Sequence, residues 1–224
     1  MSAADSTLLP WARRTVWLLP VWAGFLALST ITHQPDTATE FDAYADDVTT
    51  MPFLIGHLVL SILGAGLAVI GGAALAVLVA GARQGRAGLR GYGAFALGNV
   101  LATAVFGVAA FFQPAIGRAF HDGVAASVDI NADVYGTPLK MTVLVGMVSM
   151  ILGAVWLTQA VRSALPGLPR WVTRTMVWSL PPFVLTGAAG LPVQPLFAVA
   201  LTVALTVAVR ELVALRPALP VGIR

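Results

Sequence analysis

Long uncharged blocks, not amphipathic alternation, organise this chain. Asp, Glu, Lys and Arg are missing from positions 15–35, 51–82, 91–117, 141–161 and 175–209. Apolar runs of about 18 residues or more mark helices that cross a bilayer, whose hydrocarbon core is about 30 Å thick. The last block, 175–209, would make a helix of about 52 Å at about 1.5 Å per residue, too long for one crossing. Gly187, Gly190, Pro192 and Pro195 interrupt it near the middle. The pattern therefore predicts an all-α membrane bundle of six spans, near 15–32, 52–80, 92–117, 141–161, 175–190 and 195–210. Loops at 33–51 and 118–140 face one side. These elements use up the chain and make it a single membrane domain over 1–224.

Charge orients the spans. Cytoplasmic loops collect Lys and Arg. With the N-terminus inside, eleven of the thirteen basic residues fall on the inner side: Arg13 and Arg14, Arg83, Arg86 and Arg90, Arg162, Arg170 and Arg174, and Arg210, Arg216 and Arg224. Only Arg118 and Lys140 are left outside. A five-span reading would push the last three arginines outside and spoil the pattern. Both termini are thus expected in the cytoplasm and the protein in the cell membrane. The acids sort the opposite way: Asp36, Glu40, Asp42, Asp46, Asp47, Asp122, Asp129 and Asp133 occupy the two outer loops. These loops read as solvated. Trp11, Trp17, Trp171 and Trp178 sit near the inner span ends, with Trp156 close by, as in an interfacial aromatic belt. Arg13 and Arg14 ahead of an apolar run resemble a secretory signal, but no convincing small-residue cleavage site follows.

Composition narrows the chemistry. Only 10% of residues are charged and 58% are hydrophobic, against roughly 25% charged in soluble domains. The absence of cysteine excludes disulfides, iron–sulfur clusters and a thiol nucleophile. The net charge of +3 is spread over span ends and does not point to nucleic acid. Arginine in place of lysine, with much Ala, Gly, Val and Leu, is the bias of a high-GC bacterial genome. Small residues form stripes that let helices approach in lipid: Gly64, Ala68 and Gly72; Ala94, Gly98 and Ala102; Gly146, Ser149 and Gly153. They predict packing within the bundle, with any leftover stripe available for a homo-oligomer. Leu63-Gly64-Ala65 and Leu152-Gly153-Ala154 hint at faint internal repetition. Asn99, Thr103 and Gln113, with Thr142, Ser149 and Gln159, supply hydrogen bonds between helices or line a polar path. Asn99 and Ser149 are the candidates for such a path.

Histidine gives the sharpest chemical signal. His33, His57 and His121 all fall near the outer face, and His57 is the one side chain inside a span that titrates near neutral pH. These three, with a carboxylate such as Asp36 or Asp122, would make a metal site only by converging, since no local ligand spacing supports one. No second span offers a histidine for a haem. Asp129-Ile-Asn131-Ala-Asp133 starts like a calcium loop, yet Val134 and Lys140 stand where that loop needs Gly and Glu. The Asp46-Asp47 pair lacks the second acidic motif of prenyl-diphosphate enzymes. Phosphate-binding, dinucleotide and serine-hydrolase motifs are missing. No cofactor is predicted.

The acidic loop running into Met51-Pro52-Phe53-Leu54-Ile55-Gly56-His57-Leu58, and the loop Gly167-Leu168-Pro169-Arg170-Trp171, resemble those of small multi-pass bacterial membrane proteins that carry no assigned activity. The resemblance implies a membrane bundle and no named enzyme. The leading expectation is a non-catalytic membrane component: a small permease, a binder of lipid or another apolar ligand, or a scaffold subunit. The alternative is a membrane enzyme with an outer-leaflet site built on His57 and outer-loop carboxylates. A proton-coupled transporter is disfavoured, because no span carries an acid or a base other than His57.

Overall fold

The structure is a computed structural model that describes residues 3–31, 34–188 and 190–215. Among them it is all-helical, without strands. Four helices are long and apolar enough to cross a membrane: Met51–Val79, Gly85–His121, Ser127–Ala164 and Gln194–Ala214. Two further helical stretches are interrupted by proline.

The first stretch is α1 (Ala3–Thr15) followed by α2 (Leu18–Ser29). It starts well before the expected 15 and breaks at Val16–Trp17. Pro20 has no N–H to offer the Val16 carbonyl, so Leu19 N–H donates to it instead at 3.1 Å, tightening the turn. An unexpected short helix, α3 (Phe41–Val48), lies in the first acidic loop. Next is α4 (Met51–Val79), capped where the Phe53 N–H donates to Thr50 Oγ1 at 3.3 Å. It contains a π-helical stretch, Gly56–Leu63. The helix α5 (Gly85–His121) contains a second, Val108–Phe112. A short α6 (Ser127–Val134) leads into α7 (Thr137–Ala164).

The expected fifth span is the second broken stretch. It consists of α8 (Arg170–Trp178) and α9 (Leu180–Ala188), with Pro181 and Pro182 just after the joint at Ser179. These prolines leave the Val177 and Trp178 carbonyls without their i+4 donors. At the far end of α9, Gly190 takes φ +64°. Its N–H bonds the Gly187 carbonyl and the Leu191 N–H bonds that of Thr186, a helix stop that needs a left-handed residue. The chain then reverses into α10 (Gln194–Ala214). The uncharged block 175–209 is thus divided as its Gly and Pro positions predict.

Six helical segments close into a ring in the order α2, α4, α5, α7, α8–α9 and α10, with α10 packed back on α2. Ring neighbours run antiparallel where glycine contacts reveal direction. Gly64 and Gly71 of α4 meet Trp22 and Leu19 of α2, and Gly91 and Gly98 of α5 meet the backbone of α7 near Gly153 and Gly146. The α5–α7 contact is the closest, since a Cβ on Gly153 would lie 2.4 Å from the Phe95 nitrogen. The stripes foreseen in α4, α5 and α7 are therefore consumed inside the bundle. Trp22, Leu75, Phe95, Leu157 and Leu205 belong to the main core. One end of the ring gathers the arginine-bearing turns. There Arg13 Nη2 donates to the Leu215 carbonyl at 2.6 Å, tying α1 to the end of α10.

Candidate functional site

At the end opposite Arg13, the two acidic loops fold into a cap, with Asp36, Glu40, Asp42, Asp46, Asp122, Asp129 and Asp133 exposed to solvent as expected. The sequence of α3 places Phe41, Tyr44, Ala45 and Val48 on one face, and the last three are buried. That face lies against the last turns of α5. Gly117 makes the approach close enough that a Cβ there would stand 2.8 Å from the Ala45 carbonyl oxygen and from Val48. Phe41 stacks edge-on with Phe120 at 5.0 Å. Together with Phe53 and Ala109, Tyr44 and Val48 form a second hydrophobic cluster, separate from the main core.

A buried polar group sits beneath α3. Tyr44, 1% exposed, donates its hydroxyl hydrogen to Asn131 Oδ1 of α6 at 3.2 Å. The Gln113 amide nitrogen donates to the Tyr135 hydroxyl, while Gln113 Oε1 is buried without a partner. Burial, then the nearby Tyr135 hydroxyl, push the Tyr44 phenol above its ordinary value, and the Gln113 amide opposes the shift. The π-helical stretch Val108–Phe112 ends immediately before Gln113, and such turns are frequent at functional sites.

Around its rim, the paired acids of α3 serve two different helices. Asp46 Oδ1 lies 3.2 Å from His121 Nε2 at the end of α5. Asp47 is half-buried; burial raises its carboxyl above the ordinary value, and His57 on α4 pulls it back. His57 itself uses Nδ1 on the Phe53 carbonyl at 3.0 Å and stacks on the Phe53 ring at 4.2 Å. The three histidines proposed as ligands are thus not shown to converge: His57 and His121 have separate partners, and His33 lies outside the described residues. Among the described residues no three His, Asp or Glu side chains group as a metal site would require.

The polar candidates of the spans are placed differently from a shared path. Asn99 is 1% exposed and donates Nδ2 to the Phe95 carbonyl of its own helix at 2.9 Å. Ser149 is half-buried, on the same face of α7 as Gly146 and Gly153. Neither lines the pocket on the bundle axis, which measures about 30 Å³. That pocket draws residues from every member of the ring, including Leu19, Trp22, Phe95, Thr158, Leu180 and Leu205.

Sequence reasoning missed Thr158 and also a repeat that the structure makes visible. Trp11-Ala-Arg-Arg14-Thr15-Val16-Trp17-Leu-Leu19-Pro20 reads like Trp171-Val-Thr-Arg174-Thr175-Met-Val177-Trp178-Ser-Leu180-Pro181, with one residue inserted in the second copy. Each copy spans a helix break, exposes both tryptophans and sends its leucine, Leu19 or Leu180, into the axial pocket. Comparison with protein-family models, curated proteins and solved structures finds no match to this chain.

Proposed function

We propose that the chain is a six-span protein of the cell membrane, with both termini cytoplasmic. In this reading it is a non-catalytic component, a scaffold or binding subunit that works through its acidic outer cap. Six spans are supported by the lengths of the broken helices. Residues 13–29 and 170–188 would reach about 25 and 28 Å at about 1.5 Å per residue, enough to cross with the help of their flanks. The bond from Arg13 to Leu215 supports an even number of crossings, because it holds the two end helices together. Cysteines introduced at Thr39, Ala87 and Leu191 test this: six spans require labelling of 39 and 191 from outside intact cells and protection of 87.

The observation that carries the cap's role is the buried Tyr44–Asn131 bond. It fixes the acidic loop as a rigid surface, with Glu40, Asp42, Asp46, Asp122, Asp129 and Asp133 exposed on it. The close glycine packing of α5 on α7 and the self-bonded Asn99 favour a binding or scaffold role over a permease. The electrostatic pull of His57 on Asp47 favours one alternative, a membrane enzyme with its site at the outer leaflet. Elemental analysis of purified protein separates the two. Stoichiometric metal that disappears in His57→Ala would overturn the non-catalytic reading.

A further inference from the structure

Thr158 behaves unlike most threonines within the helices. Thr103, Thr142, Thr186, Thr202 and Thr206 each donate to the carbonyl four residues back, the usual way to satisfy a hydroxyl in lipid. Thr158 is 5% exposed, and its hydroxyl has no partner. It lies instead in the wall of the axial pocket, the one hydroxyl in the lining. Leaving a buried hydroxyl unpaired costs about 1–3 kcal/mol, a cost that a guest bearing an acceptor would remove.

Helix breaks converge on the same point. Leu19, Met176 and Leu180 reach the pocket from the two proline-interrupted stretches that flank α10. Missing backbone donors at Pro20 and Pro181 make these the places where the ring bends most cheaply. Paired Pro-interrupted spans in repeated segments point to binding sites in membrane bundles. Trp22, one turn beyond Leu19 on the same helix, meets Phe95 of α5 edge-on at 5.3 Å to form an aromatic wall. A volume of about 30 Å³ limits the guest to a small molecule, and the Thr158 hydroxyl and the Trp22 indole are the polar side-chain groups of the lining.

We propose that the axial pocket is a binding site for a small, weakly polar molecule with a single hydrogen-bond acceptor, held by the Thr158 hydroxyl and admitted between the proline-broken helices. The site is separate from the outer cap and does not depend on the cap's role. Protein labelled with 5-fluorotryptophan, in lipid nanodiscs, is titrated with ethanol and separately with xenon while the indole fluorine resonances are followed. Trp22→Phe assigns the pocket signal. Saturable movement of the Trp22 resonance is expected, with only proportional drift at the exposed Trp171 and Trp178. Thr158→Val keeps the volume and should weaken ethanol roughly three- to tenfold, about one hydrogen bond, without changing the xenon response. Ala154→Leu, which fills the pocket, should abolish both. A Trp22 response that drifts like the lipid-facing indoles would overturn the site. Ethanol binding by Thr158→Val at the strength of the native protein would overturn the role of the hydroxyl, and this arm decides even if Ala154→Leu does not fold.

Discussion

The Tyr44 hydroxyl and the Asn131 side-chain oxygen meet at 3.2 Å inside the cap, joining α3 and α6 through two residues 87 positions apart in the chain. The bond is buried and is the main polar tie between α3 and α6. Tyr44→Phe keeps the packing and strands the Asn131 acceptor, so the cap should lose about 1–3 kcal/mol. Hydrogen exchange in 41–48 should then accelerate while α4 and α7 keep their protection. The exposed pair His121–Asp46 is the control. Ion pairs open to solvent contribute about 0–1 kcal/mol, so Asp46→Asn should leave exchange in α3 nearly unchanged. Equal effects from the two variants would mean that the buried bond does not hold the cap.

Glycines in this bundle divide into those pressed against backbone and those facing outward. A Cβ at position 153 would sit 2.4 Å from the Phe95 nitrogen, and no side-chain rotation can relieve that contact. Gly153→Ala must therefore push α7 off α5, at a cost of about 1–3 kcal/mol or more. Gly66 and Gly93 have nothing within 4 Å of the same construction, and alanine there should gain roughly 0.5–1 kcal/mol of helix preference. Thermal unfolding in nanodiscs measures both signs. A tolerated Gly153→Ala would contradict the close α5–α7 contact.

Asp47 supplies a pH dependence with a definite sign. Burial raises its folded-state value above the unfolded one. For an acid this means that the folded state resists ionisation. Stability from this group is highest where the carboxyl is protonated in both states, and it falls as pH rises through the folded value. Asp47→Asn should therefore raise the unfolding temperature at pH 8, with the gain fading as pH drops toward the ordinary carboxylate value of about 3.9. The attraction from His57 opposes the shift only where the imidazole is protonated, so His57→Gln should leave the gain at pH 8 nearly unchanged. Unfolding curves at pH 4 and pH 8 for native protein and the variants check the order.

Much of the bundle is legible because bilayer crossing demands uncharged length, and α4, α5, α7 and α10 follow the uncharged runs closely. The turn at Gly190 is legible for a local reason, the clustering of Gly and Pro. The cap was hidden. Phe41, Tyr44, Ala45 and Val48 have helical spacing, but over eight residues that include three acids they give a weak signal, and the partner Asn131 is remote in sequence. The repeat linking Leu19 to Leu180 escapes an ungapped comparison because one residue is inserted before Val177. Asn99 looked like a lining for a polar path because the sequence does not say that its amide turns back to Phe95. Thr158 was invisible for the converse reason: which threonine fails to bond its own helix is decided by packing alone.

Gly190 concerns the reversal between α9 and α10, on which the proposed six crossings depend. Among the described residues only Gly123 and Gly190 have positive φ, at +77° and +64°. Both close a helix at the cap end with the same pair of bonds: Gly123 and Val124 to Phe120 and Ala119, Gly190 and Leu191 to Gly187 and Thr186. An L-residue with a Cβ pays about 1–2 kcal/mol in this conformation, and Asn pays less because it tolerates it. Gly190→Ala should therefore destabilise the α9–α10 hairpin by about that amount, and Gly190→Asn by distinctly less. Gly187 gives an independent check. A Cβ there meets the end of the flexible Gln194 side chain, which can move aside, so Gly187→Ala should cost less than Gly190→Ala. If Gly190→Ala proves the mildest of the three in thermal unfolding, the left-handed stop is not what turns the chain. The split of 175–209 into two crossings would then lose its structural basis.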